Sequence, residues 1–431
     1  MQSVDQVALA IAGETTGAAA STIGPVTATR ALVERALARV AAGDPDALGL
    51  AAGRSFFDFA TCVHGGRLAL DAAWADPAGR LALEAHALDR DDLHPLTLTH
   101  PGGIVWPAVV VAGGGASGRE AVEAAALGYE VVTAVGTLLG PGARRYWHGA
   151  TLAGAPGAAA AAARLAGGGT EVVTTAVAHA LSVVGGSILC MLERSQTRFV
   201  HRIHAVRTGL ACADAAAGGG LGATRLGLES PNGLLAAVGS AVDPWTEPLG
   251  GALALAATAL RPWAATGFAQ AVVDAALELG PLPASDVVSV DISVSAGGAM
   301  LAGNLEPRTD EEAWWSIPHA CCVTLVRGSD ALERGLADDP DVTGLLRRCT
   351  VAGDRDDLGA GLAVVLRDGS TRTATVPFAL GDPSRPLTDE QQLAKWRSAA
   401  GSDGSDAFRR CIGIAEGPFA ELSDAVLGRR G

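Results

Sequence analysis

The chain has 431 residues, of which 49% are hydrophobic and 18% charged, and its formal net charge is −14. That length suits two domains with a sizeable core. The acidic balance speaks against a broad grip on nucleic acid or on anionic membrane surfaces, so the expected partner is a small molecule, with no nucleic acid and no membrane.

The N-terminal stretch "MQSVDQVALAIAG" has no basic region ahead of its apolar residues. Seven cysteines, at 62, 190, 212, 321, 322, 349 and 411, are odd in number and lack CxxC spacing. Both features point to a reduced, cytoplasmic protein. The first half then reads as helices broken by Gly, Pro and Asp. "TRALVERALARVAAGD" has apolar residues at helical spacing and stops at Gly43-Asp44, and "GREAVEAAALG" and "GAAAAAARLAGGG" both end in glycine, as helices do. The apolar run "GATLAGAPGAAAAAARLAGGG" is Ala and Gly broken by Arg164, which suits a tightly packed helix better than a membrane span. From about residue 257 the periodicity changes. "DVVSVDISVSAGG" alternates with period two, and "GLAVVLRDGSTRTATVPF" is a hairpin turning at Asp368-Gly369. "LAKWRSAA" and "DAFRRCIGIAEG" return to helix. The expected fold is therefore mainly α: an all-helical domain over 1–256 and 386–431 with an inserted, smaller α+β lid domain over 257–385.

One motif competes with this layout. "VVVAGGGASG" sets a valine run before Gly113, Gly115 and Gly118 in GxGxxG spacing, and "GYEVV" at Gly128 to Val132 has the makings of a following strand. A dinucleotide turn needs alternating strands and helices and an acidic residue at the end of the second strand. Here Gly136 follows "EVVTAV", Pro107 crowds the first strand, and no further strand-helix unit follows. The better reading is a helix, a glycine-rich turn and another helix, with no organic cofactor.

The chemistry concentrates elsewhere. "AHALDRDDLHPLTLTHPGG" places Asp89, Asp91, Asp92, His86, His94 and His100 in one proline-broken stretch, offering groups that exchange protons near neutral pH. Asp and His also ligate zinc or iron, but the spacing matches neither HExxH nor a facial triad. A helix end with capping aspartates would use the same residues. "RSQTRFVHRIHAVRTG" is the densest cationic run, with Arg194, Arg198, Arg202 and Arg207 beside His201 and His204, and Arg198 and His201 share a helix face. His148 follows Trp147 just before the small-residue helix, and Arg261 stands near the start of the inserted domain. Lys395 is the only lysine. Any other cationic site must clamp an anion and cannot shuttle protons, because arginine stays charged.

At this point the residues resemble a known family. "EAHALDRDDLHPLTLTHPGGIVWPA" is similar to the "AHALDxDD....HPG...PA" hallmark of the MmgE/PrpD family, which includes 2-methylcitrate dehydratase, cis-aconitate decarboxylase and iminodisuccinate epimerase. "GREAVEAAALGYEVV", "WHGATLAGAPGAAAAAARL", "VHRIHAVRTGLACADAAAGGGLGATRLGLESPNG", "RPWAATGFAQAVVDAALEL" and "EEAWWSIPHACCVTLVRG" follow further family motifs in order, so the likeness spans nearly the whole chain. The resemblance implies an all-helical domain plus an α+β lid, a homodimer, an active site between the domains, and no metal or organic cofactor.

The resemblance also carries residues over. Asp89, His100 and His148 stand at the family's catalytic aspartate and histidines. Arg198 and Arg261 replace its lysines, and Asp92, His94, His201, Thr266 and His319 fall among lining positions. There are departures. The loop from Asp89 to His100 is one residue longer than in the decarboxylase branch, Leu93 replaces a common threonine, and the threonine after the active-site histidine is displaced to Thr151. Thr266 takes the place of a histidine, Leu301 of a tyrosine and His319 of the "Sipy" tyrosine. The family reactions share proton abstraction next to a carboxylate. The expectation is thus a cofactor-independent lyase eliminating water or an activated, for example phosphorylated, hydroxyl from a small oxygenated acid, in specialised metabolism. His148, Asp89 and His100 would move protons, and Arg198 and Arg261 would hold the anionic substrate. An isomerase, an epimerase or a decarboxylase would use the same carbanion, and an inactive acid-binding homologue is the remaining alternative.

Overall fold

The computed structural model describes residues 26–218, 221–245 and 250–428. The stretch "MQSVDQVALAIAG" lies outside them. Helices α1 (Ala28–Ala42), α2 (Pro45–Ala69), α3 (Pro77–His86), α4 (Gly102–Ala112), α5 (Gly118–Arg144), α6 (Gly149–Leu165) and α7 (Thr170–Val183) follow one another. After a short α8 (Leu189–Leu192) come α9 (Thr197–Ala217) and a short α10 (Leu234–Ala237). Their limits are written in the sequence: Thr27, Asp44 and Asp76 cap α1, α2 and α3 with their side chains, and Ser117 and Glu120 form a reciprocal capping box on α5.

"VVVAGGGASG" is the end of α4, a glycine turn and the cap of α5, and "GYEVV" is the middle of α5. The glycine that seemed to end "GREAVEAAALG" lies inside this helix. A Cβ on Gly128 would come within 2.7 Å of Val105, and one on Gly157 of α6 within 2.3 Å of Val132. Small residues here let α4, α5 and α6 approach closely, so Gly128 serves interhelical packing and not termination. α5 is long and apolar enough to cross a membrane by length and composition, but its most apolar stretch is 89% buried inside the protein.

The chain leaves this helical core at Leu255 and enters a second core at Ala264. There α11 (Gln270–Leu279), α12 (Ala296–Ala302), α13 (Asp310–Trp314), α14 (Ile317–Arg327) and α15 (Pro340–Leu346) accompany strands β1 (Val287–Ser295), β2 (Cys349–Arg355), β3 (Ala360–Leu366) and β4 (Thr371–Val376). The sheet order is β2-β1-β3-β4, with β1 parallel to β2 and antiparallel to β3. Ile292 pairs with Val351 on one side and Leu362 on the other. The β3–β4 hairpin closes at Asp368-Gly369, where Leu366 N–H donates to Ser370 O at 2.8 Å.

α16 (Asp389–Ala400), α17 (Ser405–Ile412) and α18 (Phe419–Leu427) then pack back on α2. Phe57 stacks on Trp396 at 4.9 Å and meets Phe408 edge-on at 5.0 Å, while Phe56 lies 5.5 Å from Phe419. Such aromatic contacts add about 0.5–1.5 kcal/mol each beyond area burial. Below them Lys395 Nζ donates to Asp58 Oδ1 at 2.6 Å and to Arg90 O at 3.0 Å, both side chains 2% exposed. The single lysine thus ties the C-terminal helices to the segment that carries the acidic and histidine residues. The fold is mainly α with a smaller α+β second domain.

Candidate active site

Residues 87–101 connect α3 to α4 and are shaped by their own hydrogen bonds. Asp89 N–H donates to His86 O at 3.0 Å, and Asp89 adopts φ +51, a left-handed conformation that aspartate tolerates better than most residues. Leu93 exchanges backbone hydrogen bonds of 2.9 and 2.8 Å with Ala259, at the crossing between the two cores. The segment is therefore fixed to both domains.

Asp92 accepts the Gly102 N–H at 3.0 Å and the Tyr129 hydroxyl at 2.7 Å. Tyr129 in turn meets Ser55 at 2.7 Å, which accepts from Trp106 Nε1 at 2.9 Å. A Cβ on Gly102 would lie 2.5 Å from the Tyr129 oxygen and 2.7 Å from Asp92 Oδ2, so the carboxylate needs glycine at the start of α4. Burial, reinforced by Asp91, pushes Asp92 up to about 7 against the lowering effect of Tyr129. Asp92 anchors the loop and does not reach the cavity described below.

Behind the loop the guanidiniums and carboxylates interlock. Arg198 Nη1 donates to Asp89 Oδ2 at 3.1 Å, and Arg261 Nη2 donates to Asp89 Oδ1 at 3.2 Å and Asp91 Oδ1 at 2.9 Å. Arg261 Nε also donates to the Asp91 carbonyl. Asp89 is fully buried and Arg261 1% exposed. The two arginines expected to face a substrate are thus bound to the protein's own carboxylates; Arg261 and Asp89 both sit behind the cavity wall. Arg198 reaches further, with its guanidinium 5.2 Å from the Trp315 ring and its Nη2 without a partner, on the wall of a neighbouring cavity of about 280 Å³.

The carboxylate that approaches His100 is Asp91, with Oδ2 3.5 Å from His100 Nδ1, while Asp91 Oδ1 accepts from His86 Nδ1 at 2.9 Å. His100 Nδ1 lies 2.7 Å from Asp92 O. A carbonyl can only accept, so Nδ1 carries the proton and Nε2 is left with its lone pair. Burial lowers the His100 pKa well below the ordinary imidazole value, opposed by Asp91 and aided by Arg202 and Arg261.

His148 caps the amino end of α6, its backbone N–H held by Gly186 O at 2.8 Å. Its Nδ1 lies 3.1 Å from His201 Nδ1 and 3.1 Å from Thr151 Oγ1. Burial lowers its pKa strongly, followed by the charges of Arg202, His201 and Arg198. Both imidazoles are neutral at pH 7, the form that can accept a proton.

His100 and His148 line one cavity of about 110 Å³ between the domains, with Thr97, Trp147 and Met191 on the helical side and Thr266, Phe268, Leu301 and Trp315 on the other. That exceeds the about 10–15 Å³ a single water needs, and most of the wall is apolar, with few polar groups. Thr266 Oγ1 is buried without a partner on this wall. His94 is engaged by Thr97 at 2.8 Å and pushed down to about 4 by burial. His319 is buried with Nδ1 unpartnered and lowered to about 4 by burial. Neither lines the cavity. His201 stands behind His148.

Two further arginines belong here. Arg144, just past the kink of α5 at Gly140–Pro141, lines the cavity, and burial lowers its pKa with no carboxylate opposing. It precedes His148 in "RRYWH", a pairing visible in the sequence. Arg202, one helical turn after Arg198 on α9, is 1% exposed with Nε and Nη1 unpartnered, and its charge acts on His86, His100 and His148. Of the remaining cations, Arg207 pairs with Asp76 on the surface.

Comparison with family models identifies both halves of the chain. The MmgE/PrpD N-terminal domain matches residues 46–246 and the MmgE/PrpD C-terminal domain matches residues 263–416. No curated protein matches the chain. With both domain models matched, one on each side of the cavity and together over most of its length, the chain belongs to the MmgE/PrpD family, a family of dehydratase-type lyases.

Proposed function

We propose that this protein is a lyase that removes a proton from carbon next to a carboxylate of a small oxygenated acid and expels a hydroxyl, free or phosphorylated, from the neighbouring carbon. What supports this reading is one juxtaposition: two imidazoles held neutral by burial, His100 and His148, share a small interdomain cavity with Arg144, a guanidinium that has no ion-pair partner among the described residues. His148 takes the proton, and its contact with His201 gives that proton a second nitrogen to move toward. His100, with Nδ1–H fixed on Asp92 O, takes a proton from solvent on Nε2 and gives it to the leaving oxygen, while His148 keeps the carbon's proton until the product leaves and then returns it to solvent. Arg144 holds the substrate carboxylate, and the unpartnered nitrogens of Arg202 stabilise the negative charge that develops as the C–H bond breaks. Asp89, clasped by Arg198 and Arg261, positions the loop that carries His100. The reaction needs no cofactor, and a homodimer in the cytoplasm is part of the same proposal.

The test is a panel of hydroxy acids and phosphorylated hydroxy acids, followed by the absorbance of the new alkene and, in deuterium oxide, by exchange at the substrate carbon. Wild type should form alkene. His148→Ala, with an unchanged circular dichroism spectrum, should lose roughly a hundredfold to ten-thousandfold in turnover. Exchange without alkene makes the enzyme an epimerase or isomerase, carbon dioxide release makes it a decarboxylase, and an inert wild type overturns the reading.

A further inference from the structure

Next to the proposed base lies a second kind of chemistry. Cys190, on the short helix before α9, places its Sγ 3.8 Å from His201 Nδ1, and His201 Nδ1 is 3.1 Å from His148 Nδ1. All three ligand atoms lie within 4.8 Å of one another. A tetrahedral zinc ion has Zn–N bonds of about 2.0–2.1 Å and Zn–S bonds of about 2.3 Å, which puts ligand edges at about 3.3 Å for N to N and about 3.6 Å for N to S. The two edges that meet at His201, 3.1 Å and 3.8 Å, fall within a few tenths of an ångström of those values.

We infer that His148, Cys190 and His201 form a binding site for a soft divalent cation, zinc above all, and that occupancy of this site inhibits the enzyme by capturing the Nδ1 of His148. A thiolate and two imidazoles are a zinc donor set, and the fourth position is left for water. Binding exchanges the thiol proton of Cys190 for the metal and releases it to solvent. Burial keeps both imidazoles neutral, ready to ligate, and it keeps the Cys190 thiol protonated despite the opposing charges of Arg198 and Arg202, so the metal must displace that proton. Cys190 opens onto the second cavity, which gives the ion a path from solvent.

The other cluster of this kind, His86, Asp91 and His100, is a poorer host. Arg261 already sits on Asp91 at 2.9 Å, so the one carboxylate of this cluster is taken by a guanidinium. A divalent ion there would meet like charge at hydrogen-bond distance.

The test uses metal alone on the full chain after treatment with chelator, so it does not depend on the substrate or on turnover. Cobalt(II) should bind with a thiolate-to-cobalt charge-transfer band in the near ultraviolet, and zinc should displace it at one equivalent. Zinc should also raise the melting temperature of the wild type, because it binds only the folded site. Cys190→Ser should abolish the band and Cys212→Ser should retain it. His201→Gln, at a partly buried position, should weaken cobalt binding at least about tenfold, and it serves as the deciding variant if the serine protein fails to fold. No band at saturating cobalt, a band that survives Cys190→Ser, or unchanged affinity in His201→Gln would overturn the site. Once a substrate is found, zinc should inhibit the wild type and spare Cys190→Ser.

Discussion

Replacing Lys395 by methionine keeps the aliphatic stem and removes the charge that neutralises Asp58, and the structure sets the size of the effect. The pair is 2% exposed on both sides, and burial is the largest influence on Asp58, raising its pKa despite the lysine. Removing one member of such a pair generally costs about 3–5 kcal/mol, because the other is left as a buried, uncompensated charge. Asp58 has an escape, since it can take up a proton. From the ordinary value of 3.8, protonation at pH 7 costs 3.2 units at about 1.36 kcal/mol each, an upper bound near 4 kcal/mol. At pH 5 the same bound falls to about 2 kcal/mol. Lys395→Met should therefore lose about 3–4 kcal/mol at pH 7 and markedly less at pH 5. Urea unfolding followed by tryptophan fluorescence reads both, because Trp396 adjoins the pair and is buried in the helical core. Asp58→Asn combined with Lys395→Met should recover much of the loss. A penalty below about 1 kcal/mol at pH 7, or one that does not change with pH, would refute the idea that the lysine acts by neutralising Asp58.

Other outcomes follow from the same geometry. Gly102→Ala sets a methyl 2.5 Å from the Tyr129 oxygen and should destabilise by about 1–3 kcal/mol, visible in the same unfolding experiment. Arg144→Met should raise KM roughly tenfold to a hundredfold for a carboxylate substrate with a smaller effect on kcat, matching the loss of one charge-assisted hydrogen bond. His319 is held down to about 4, so between pH 7 and 5 the unfolded chain takes up a proton there that the folded chain refuses. Stability at that site falls by about 2 kcal/mol over this window, and His319→Leu should abolish that part of the acid loss. Since the base His148 must be neutral and the acid His100 protonated, and burial lowers both, kcat/KM on a free hydroxy acid should be greatest below pH 6.5 and fall as the pH rises above it, as measured by a pH-rate profile.

Much of this architecture is legible in the residues because local chemistry and tertiary packing agree there. Ser117 and Glu120 announce the start of α5, and alternating Val290, Ile292 and Val294 announce β1. Legibility fails where a residue's reason is distant. Gly128 reads as a helix end but is present because Val105 and Gly157 press against it. Strand β2 gives no alternating signal, since as an edge strand it buries only Cys349. In the site, motif spacing brings forward Asp89, His100, His148, Arg198 and Arg261, yet not their partners. Arg261 meets Asp91 across 170 residues, and no spacing rule reaches that far. Nor can a sequence distinguish the arginine that faces the cavity, Arg144, from those that the protein's own carboxylates already hold.

The near absence of lysine has a mechanistic consequence. In a site built with lysines, an ammonium whose pKa falls on burial can itself pass a proton. Guanidinium cannot, because it stays protonated at any working pH. Here the one lysine is committed to Asp58 and to the Arg90 carbonyl, and the cations in and around the cavity are Arg144, Arg198, Arg202 and Arg261. Arg144 can orient an anion there and the others can lower the energy of a developing carbanion through their charge, but none can donate or accept a proton during turnover. Asp89 and Asp92 are likewise occupied, by guanidiniums and by Tyr129 with the start of α4. Proton transfer at carbon and at the leaving oxygen thus falls to His148 and His100. A His100→Gln variant, which preserves hydrogen-bonding capacity but has no basic nitrogen, should bind substrate with nearly unchanged KM and lose turnover by roughly a hundredfold or more. It should also regain activity with substrates whose leaving group needs no protonation, such as a phosphorylated hydroxyl. Equal loss on free and phosphorylated substrates would place His100 in binding and leave His148 as the sole proton carrier.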